Sequence, residues 1–184
     1  MLTSLLFSAI LTTPAVNYSG KVLLGKSPAK GAVIFLEGYG KPKPVEEIIE
    51  QKNRKFIPRI LVVPVGSKVS FPNRDTVYHN VFAEYNAKKF DLGMYPKGES
   101  RSQVFDKPGI VSILCNIHSD MSAYIVVVDS AAYALANDKG NFVLNNVEPG
   151  TYKMQIWHES GAKLAQPVTV SASNSKGSFA IKKK

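Results

Sequence analysis

Cysteine is nearly absent from this chain. One in 184 residues, Cys115, rules out an intramolecular disulfide, so stability must come from packing or from a bound group. Histidine is scarce too, at three residues. No apolar run reaches the roughly 20 residues that a spanning helix needs. Internal repeats and low-complexity tracts are missing, and helical periodicity is rare, so helix content should be low. Acidic residues number 14 against 23 basic ones, a formal net charge of +9. That balance favours acidic partners, chiefly through association rate, with an anionic membrane surface as a further peripheral contact. It does not favour nucleic acid, because the lysines are dispersed and no basic motif is interleaved with aromatics.

The first charge in the chain is Lys21. Met1 to Thr12 is rich in Leu, Ile and Phe, and Thr13-Pro14-Ala15 supplies small residues at a cleavage position. Residues 1–15 therefore read as a signal peptide, which implies a periplasmic or otherwise exported protein. The usual basic n-region is missing, so an uncleaved amphipathic anchor is the alternative reading.

What the chain does have is concentrated in Cys115-Asn116-Ile117-His118-Ser119-Asp120-Met121. Seven residues hold a thiol, an imidazole and a thioether. Each alone has a plain explanation: a lone cysteine is usually a small buried hydrophobe, a histidine a surface residue, a methionine a core residue. Together they form a soft ligand set suited to copper, and a His₂Cys site with a weak axial Met is that of a blue-copper electron-transfer centre. His79, in Tyr78-His79-Asn80-Val81, supplies the second imidazole. His158 has no soft ligand near it in sequence and is expected to be structural or solvent-facing.

The flanks are β-rich. Arg59 to Phe71 reads as two strands about a Gly turn, and Asn73-Arg74-Asp75 as turn formers before His79. Gln103-Val104-Phe105 and Ile110 to Leu114, about Asp106-Lys107-Pro108-Gly109, read as a hairpin delivering Cys115 at a strand end. Ala123 to Val128 is a further apolar strand. The piece from Val45 to Arg54, after the stiff Lys41-Pro42-Lys43-Pro44, is either a helical turn or an edge strand.

From Phe56 to Asp129 the pattern F-x-P, V-x-x-G-x-x-V-x-F-x-N-x-D, H-N-V and a Pro-Gly link before the ligand loop resembles the cupredoxins. The C-x-x-H-x-x-M spacing is that of the amicyanin loop, with Ser119 where amicyanin has proline. The resemblance implies a Greek-key β-sandwich holding one type 1 copper ion, with His79, Cys115 and His118 equatorial and Met121 axial. It makes Asn80 the outer contact that ties the His79 strand to the cysteine loop. A partner-docking rim around the His118 edge would include Met94, Tyr95 and Pro96. Four protein ligands leave no open position, so the protein is not expected to be an enzyme.

Outside that segment, Asp138-Lys139-Gly140-Asn141-Phe142-Val143-Leu144 and Val147-Glu148-Pro149-Gly150-Thr151-Tyr152 resemble carboxypeptidase regulatory-like (transthyretin-like) β-sandwich modules. Tyr18–Leu24 and Ala32–Leu36 read as a hairpin, and Val168–Val170 with Gly177–Ile181 as a last pair. The expected organisation is all-β: a hairpin within 18–40 that joins a C-terminal module at 131–184, with a cupredoxin domain at 41–130 between them. In the alternative, the hairpin belongs to the cupredoxin sheet. The functional expectation is an exported blue copper protein that carries single electrons between redox partner proteins. A copper storage, delivery or sensing module is the alternative.

Overall fold

The computed structural model describes residues 14–84 and 87–183; the expected signal peptide lies outside the described residues except at positions 14 and 15. The described residues form eighteen strands and no helix. In chain order the first nine are β1 (Val16–Leu24), β2 (Ser27–Pro28), β3 (Val33–Leu36), β4 (Glu46–Ile48), β5 (Glu50–Lys52), β6 (Lys55–Ile57), β7 (Ile60–Pro64), β8 (Ser67–Pro72) and β9 (His79–Ala83). The others are β10 (Phe90–Tyr95), β11 (Ser100–Phe105), β12 (Gly109–Leu114), β13 (Ser122–Val128), β14 (Tyr133–Leu135), β15 (Asn141–Val147), β16 (Gly150–Trp157), β17 (Lys163–Val170) and β18 (Lys176–Ile181).

Sixteen of them build four stacked sheets, and β5 and β6 form a separate two-stranded one. The first is β15-β1-β18, with β2 hanging on β1; the second is β14-β3-β16-β17; the third is β10-β9-β12-β13-β7; the fourth is β11-β8-β4. Three apolar layers lie between them. Tyr18, Val22, Leu144 and Phe179 meet Ile34, Met154 and Ile156 between the first and second sheets. Val69, Phe71 and Phe105 meet Val81, Val111, Ile113 and Ile125 between the third and fourth. The middle layer joins the two sandwiches: Val33 and Trp157 pack on Ile60, Val126 and Val128, and Tyr124 meets Trp157 edge to face at 5.3 Å. An apolar seam of this kind opposes the relative motion expected of modules joined by polar contacts.

Strands facing two apolar layers need apolar residues at every position, and these do. In β13, Ala123, Ile125 and Val127 enter the layer beside the fourth sheet, while Tyr124, Val126 and Val128 enter the seam. β3 splits in the same way, with Ile34 and Leu36 on one side and Val33 and Phe35 on the other.

Three expected pairings differ from those found. β1 pairs with β15 and β18 and turns back only into β2, while β3 lies in the facing sheet. The 18–40 segment is thus not one hairpin. β11 pairs with β8 but β12 with β13 and β9, so 103–114 is a crossing between sheets. β17 pairs with β16 and β18 runs parallel to β1. The reason is common to all three: both strands of each expected hairpin must face the same core, and a short link satisfies this by crossing the sandwich. The ambiguous 45–54 piece is β4, on the edge beside β8, followed by the β5-β6 hairpin. Asn53 and Arg54 form its two-residue loop with φ of 53° and 55°, the left-handed pair that a type I′ turn requires. Gly140, at φ 75°, is also obligatory: a Cβ there would lie 2.4 Å from the Val22 carbonyl oxygen.

Candidate metal centre

The third sheet brings the candidate residues together. His79 opens β9, and Cys115 follows the last residue of β12. Leu114 pairs with Phe82 of β9 and with Ser122 of β13. The second pairing closes the loop from Cys115 to Met121 at its base, since its partners are the residues just before and just after it. Within the loop the Met121 amide donates to the His118 carbonyl oxygen at 3.0 Å.

Ligand atoms of His79, Cys115 and His118 all lie within 4.8 Å of one another. The two imidazole centroids are 5.0 Å apart. His79 is fully buried, Cys115 is buried, and His118 is half-buried. Met121 is buried in the same apolar layer as Cys115.

Hydrogen bonding decides which nitrogen of His79 faces the cluster. Asp75 Oδ2 lies 2.7 Å from His79 Nε2. An ionised carboxylate only accepts, so Nε2 carries a proton, and in the neutral ring Nδ1 is the nitrogen with the lone pair. Burial acts to raise the Asp75 pKa, but donation from the Arg54 amide, the His79 ring and the Asn53 amide outweighs it and holds the carboxyl below its ordinary value. Nδ1 of His79 and Nδ1 of His118 are both buried without a hydrogen-bond partner. Unpartnered buried polar atoms are rare and costly. Two imidazoles with unpartnered buried nitrogens beside a thiol fit a metal ion of borderline or soft character.

A second tier holds these residues in place. Asn80 Oδ1 accepts from the Asn116 amide at 3.3 Å, while its Nδ2 donates to Asp91 at 2.7 Å. Asn73, wholly buried, donates through Nδ2 to the carbonyls of Val77 and Tyr95 at 2.9 and 3.0 Å. It thereby fixes the loop between β8 and His79. Asp75 and Asn73 read in sequence as turn formers only; the available signal was an acid four residues before a candidate ligand. Gln51, the buried middle residue of β5 that donates to the Tyr95 hydroxyl, had no sequence signal.

The expected rim needs one correction. Met94 is 61% exposed and Pro96 is half-buried, but Tyr95 is fully buried. Strand alternation turns it inward, where its hydroxyl donates to the Phe71 carbonyl at 2.7 Å and accepts from Gln51 Nε2 at 2.7 Å. Burial pushes its phenol up to about 12. Tyr78, 58% exposed, and Ile117, 42% exposed, stand next to His79 and His118 in the chain. His158 is held by Ser160 and by the Lys30 carbonyl oxygen, away from the cluster.

Residues 127–179 match the family model of domain II of polysaccharide lyase family 4. No curated protein matches the chain in sequence. Among solved structures, similarity extends to a copper-containing nitrite reductase from Thermus scotoductus SA-01, at 27% identity and a TM-score of 0.42. That likeness covers 48% of this chain but only 23% of the reductase. A purple cupredoxin from Nitrosopumilus maritimus is 25% identical with a TM-score of 0.40, covering 45% of this chain and 98% of its own. A reduced amicyanin variant is 26% identical with a TM-score of 0.42, covering 45% of this chain and 81% of its own. The expectation of a non-catalytic protein is not upheld, because an enzyme, the nitrite reductase, is among the similar structures. Among the described residues no helix is long and apolar enough to cross a membrane.

Proposed function

We propose that this chain is an exported type 1 copper protein that passes single electrons between redox partners. The observation that carries the reading is the trio of His79, Cys115 and His118, whose ligand atoms lie within 4.8 Å of one another, with both imidazole Nδ1 atoms buried and unpartnered. His79, Cys115 and His118 would hold the ion, with Met121 as the weak axial ligand. When bound, copper would supply a one-electron Cu(II)/Cu(I) couple. Cys115 would bind as thiolate, so loading releases a proton and depends on pH. Asp75 fixes the His79 tautomer and Asn80 ties the cysteine loop to β9, which keeps the ligands in one arrangement in both charge states.

Partners would dock where Tyr78, Met94 and Ile117 expose apolar side chains beside the site, and the net charge of +9 favours acidic ones. In this reading 41–130 is the copper module, and 18–40 with 131–184 is a second sandwich. Export rests on the uncharged, apolar composition of residues 1–15.

The test is the visible and EPR spectrum after Cu(II) addition, with Cys115→Ser as control. An intense blue or purple band with narrow copper hyperfine splitting, lost in the variant, supports the reading. A colourless protein, or a pale one whose signal is the same in Cys115→Ser, overturns it.

A further inference from the structure

Charge in this protein is unevenly placed. Residues 1–40 and 131–184 carry ten lysines, no arginine and four acidic residues, which is +6 of the net +9. The excess gathers on one layer. Strands β1, β2, β15 and β18, which form the first sheet, contain no Asp or Glu. Lys21 and Lys176 project outward from β1 and β18, and the turns and tail at the ends of these strands add Lys26, Lys139, Lys182 and Lys183, all exposed.

The register arranges this face in rows. Val143, Ser19 and Lys176 lie side by side across the three strands, followed by Asn141, Lys21 and Ser178. Leu23 and Ala180 come next. Val143 is 45% exposed, so apolar side chains stand between the cations. Among the described residues, none of Lys21, Lys26, Lys139 or Lys176 has an acidic group at ion-pair distance, whereas nearby Lys30 is held by Asp138 at 2.9 Å. The outermost sheet on the opposite side is different in kind: Lys68 there pairs with Glu46 and Arg101 with Glu99, each at 3.7 Å.

We infer that the β15-β1-β18 face is a docking surface for an anionic lipid bilayer. The sheet offers a broad face with several unneutralised lysines, and each lysine near an anionic leaflet is worth about 1 kcal/mol. Long lysine stems with Leu23 and Val143 between them suit the boundary between headgroups and acyl chains. Nucleic acid fits less well. The face has no arginine for bidentate phosphate or base contacts and no outward aromatic for stacking. Docking here uses the layer farthest from the third sheet, so it leaves the His118 end uncovered. The inference does not depend on copper and is tested without it.

The experiment is sedimentation of the purified metal-free protein with vesicles of phosphatidylcholine alone and of phosphatidylcholine with phosphatidylglycerol. Variants are Lys21→Glu with Lys176→Glu, and as a charge-matched control Lys89→Glu with Lys107→Glu on the other sandwich. Wild type should prefer the anionic vesicles and lose the preference as salt is raised. The first pair should weaken anionic binding about 30-fold or more, since two favourable contacts are lost, and the control should stay within about three-fold of wild type. No preference for anionic vesicles overturns the inference, and so does equal loss in both pairs, which would reduce it to net charge. Displacement from the vesicles by an equal charge concentration of duplex DNA overturns the lipid assignment in favour of nucleic acid.

Discussion

Asp75 and His79 are joined by one short hydrogen bond, 2.7 Å from Oδ2 to Nε2, and the same carboxylate receives the two amides of the Asn53-Arg54 turn at 2.8 Å each. One side chain therefore fastens the β5-β6 hairpin to the back of the imidazole whose other nitrogen faces the cluster.

Asp75→Ala should consequently weaken copper binding by about 10- to 100-fold, the usual cost of losing an outer contact to a metal-ligating histidine. Competitive titration with a chromophoric chelator measures this. Asp75→Asn retains one accepting oxygen but cannot serve the ring and both amides, and should fall between the two. Unchanged affinity in Asp75→Ala would show that the ring is oriented by packing alone.

Tyr95 gives the alkaline behaviour. Its phenol titrates near 10.0 when unfolded and is pushed up to about 12 by burial in the folded chain. The neutral form is thus favoured by folding. Its contribution is complete below about pH 10 and disappears as pH climbs through about 12. Tyr95→Phe should cost about 1 kcal/mol at neutral pH through the lost hydroxyl bonds and make the decline in melting temperature between those values shallower. A parallel decline in both proteins would assign the alkaline loss to other groups.

Trp157 tests the seam. Trp157→Ala should destabilise by about 3–5 kcal/mol, as large-to-small changes of buried aromatics do. Because the loss falls between the sandwiches, calorimetry should show one unfolding transition in wild type and two in the variant. A single transition in both would mean that Val33, Val126 and Val128 suffice to couple them.

Much of this was legible in the sequence. Cys115, His118 and Met121 stood out because soft side chains rarely share seven residues, and the apolar runs of β3 and β13 read as strands, although not as strands buried on both faces. Sheet membership was not legible. Period-two alternation marks a strand and its inward face, but a link such as Asp106 to Gly109 can either turn within a sheet or cross between two. Tyr95 was misplaced for a simpler reason: its neighbours Met94 and Pro96 drew it to the surface, although alternation along β10 turns adjacent side chains to opposite faces. Asp75 was hidden by its type, since aspartate in a turn needs no function to explain it.

The pairing of β1 with β15 and β18 also sets an order of assembly. Among the described residues, β1 has no sheet neighbour but the two-residue β2 until residues 141–147 and 176–181 have been made. The strands between Glu46 and Val128 pair only among themselves, so the sandwich holding His79, Cys115 and His118 can close while the N-terminal strand still waits. A polypeptide that lacks β18 keeps an open edge beside β1, and so exposes the outer sandwich to pairing with another chain.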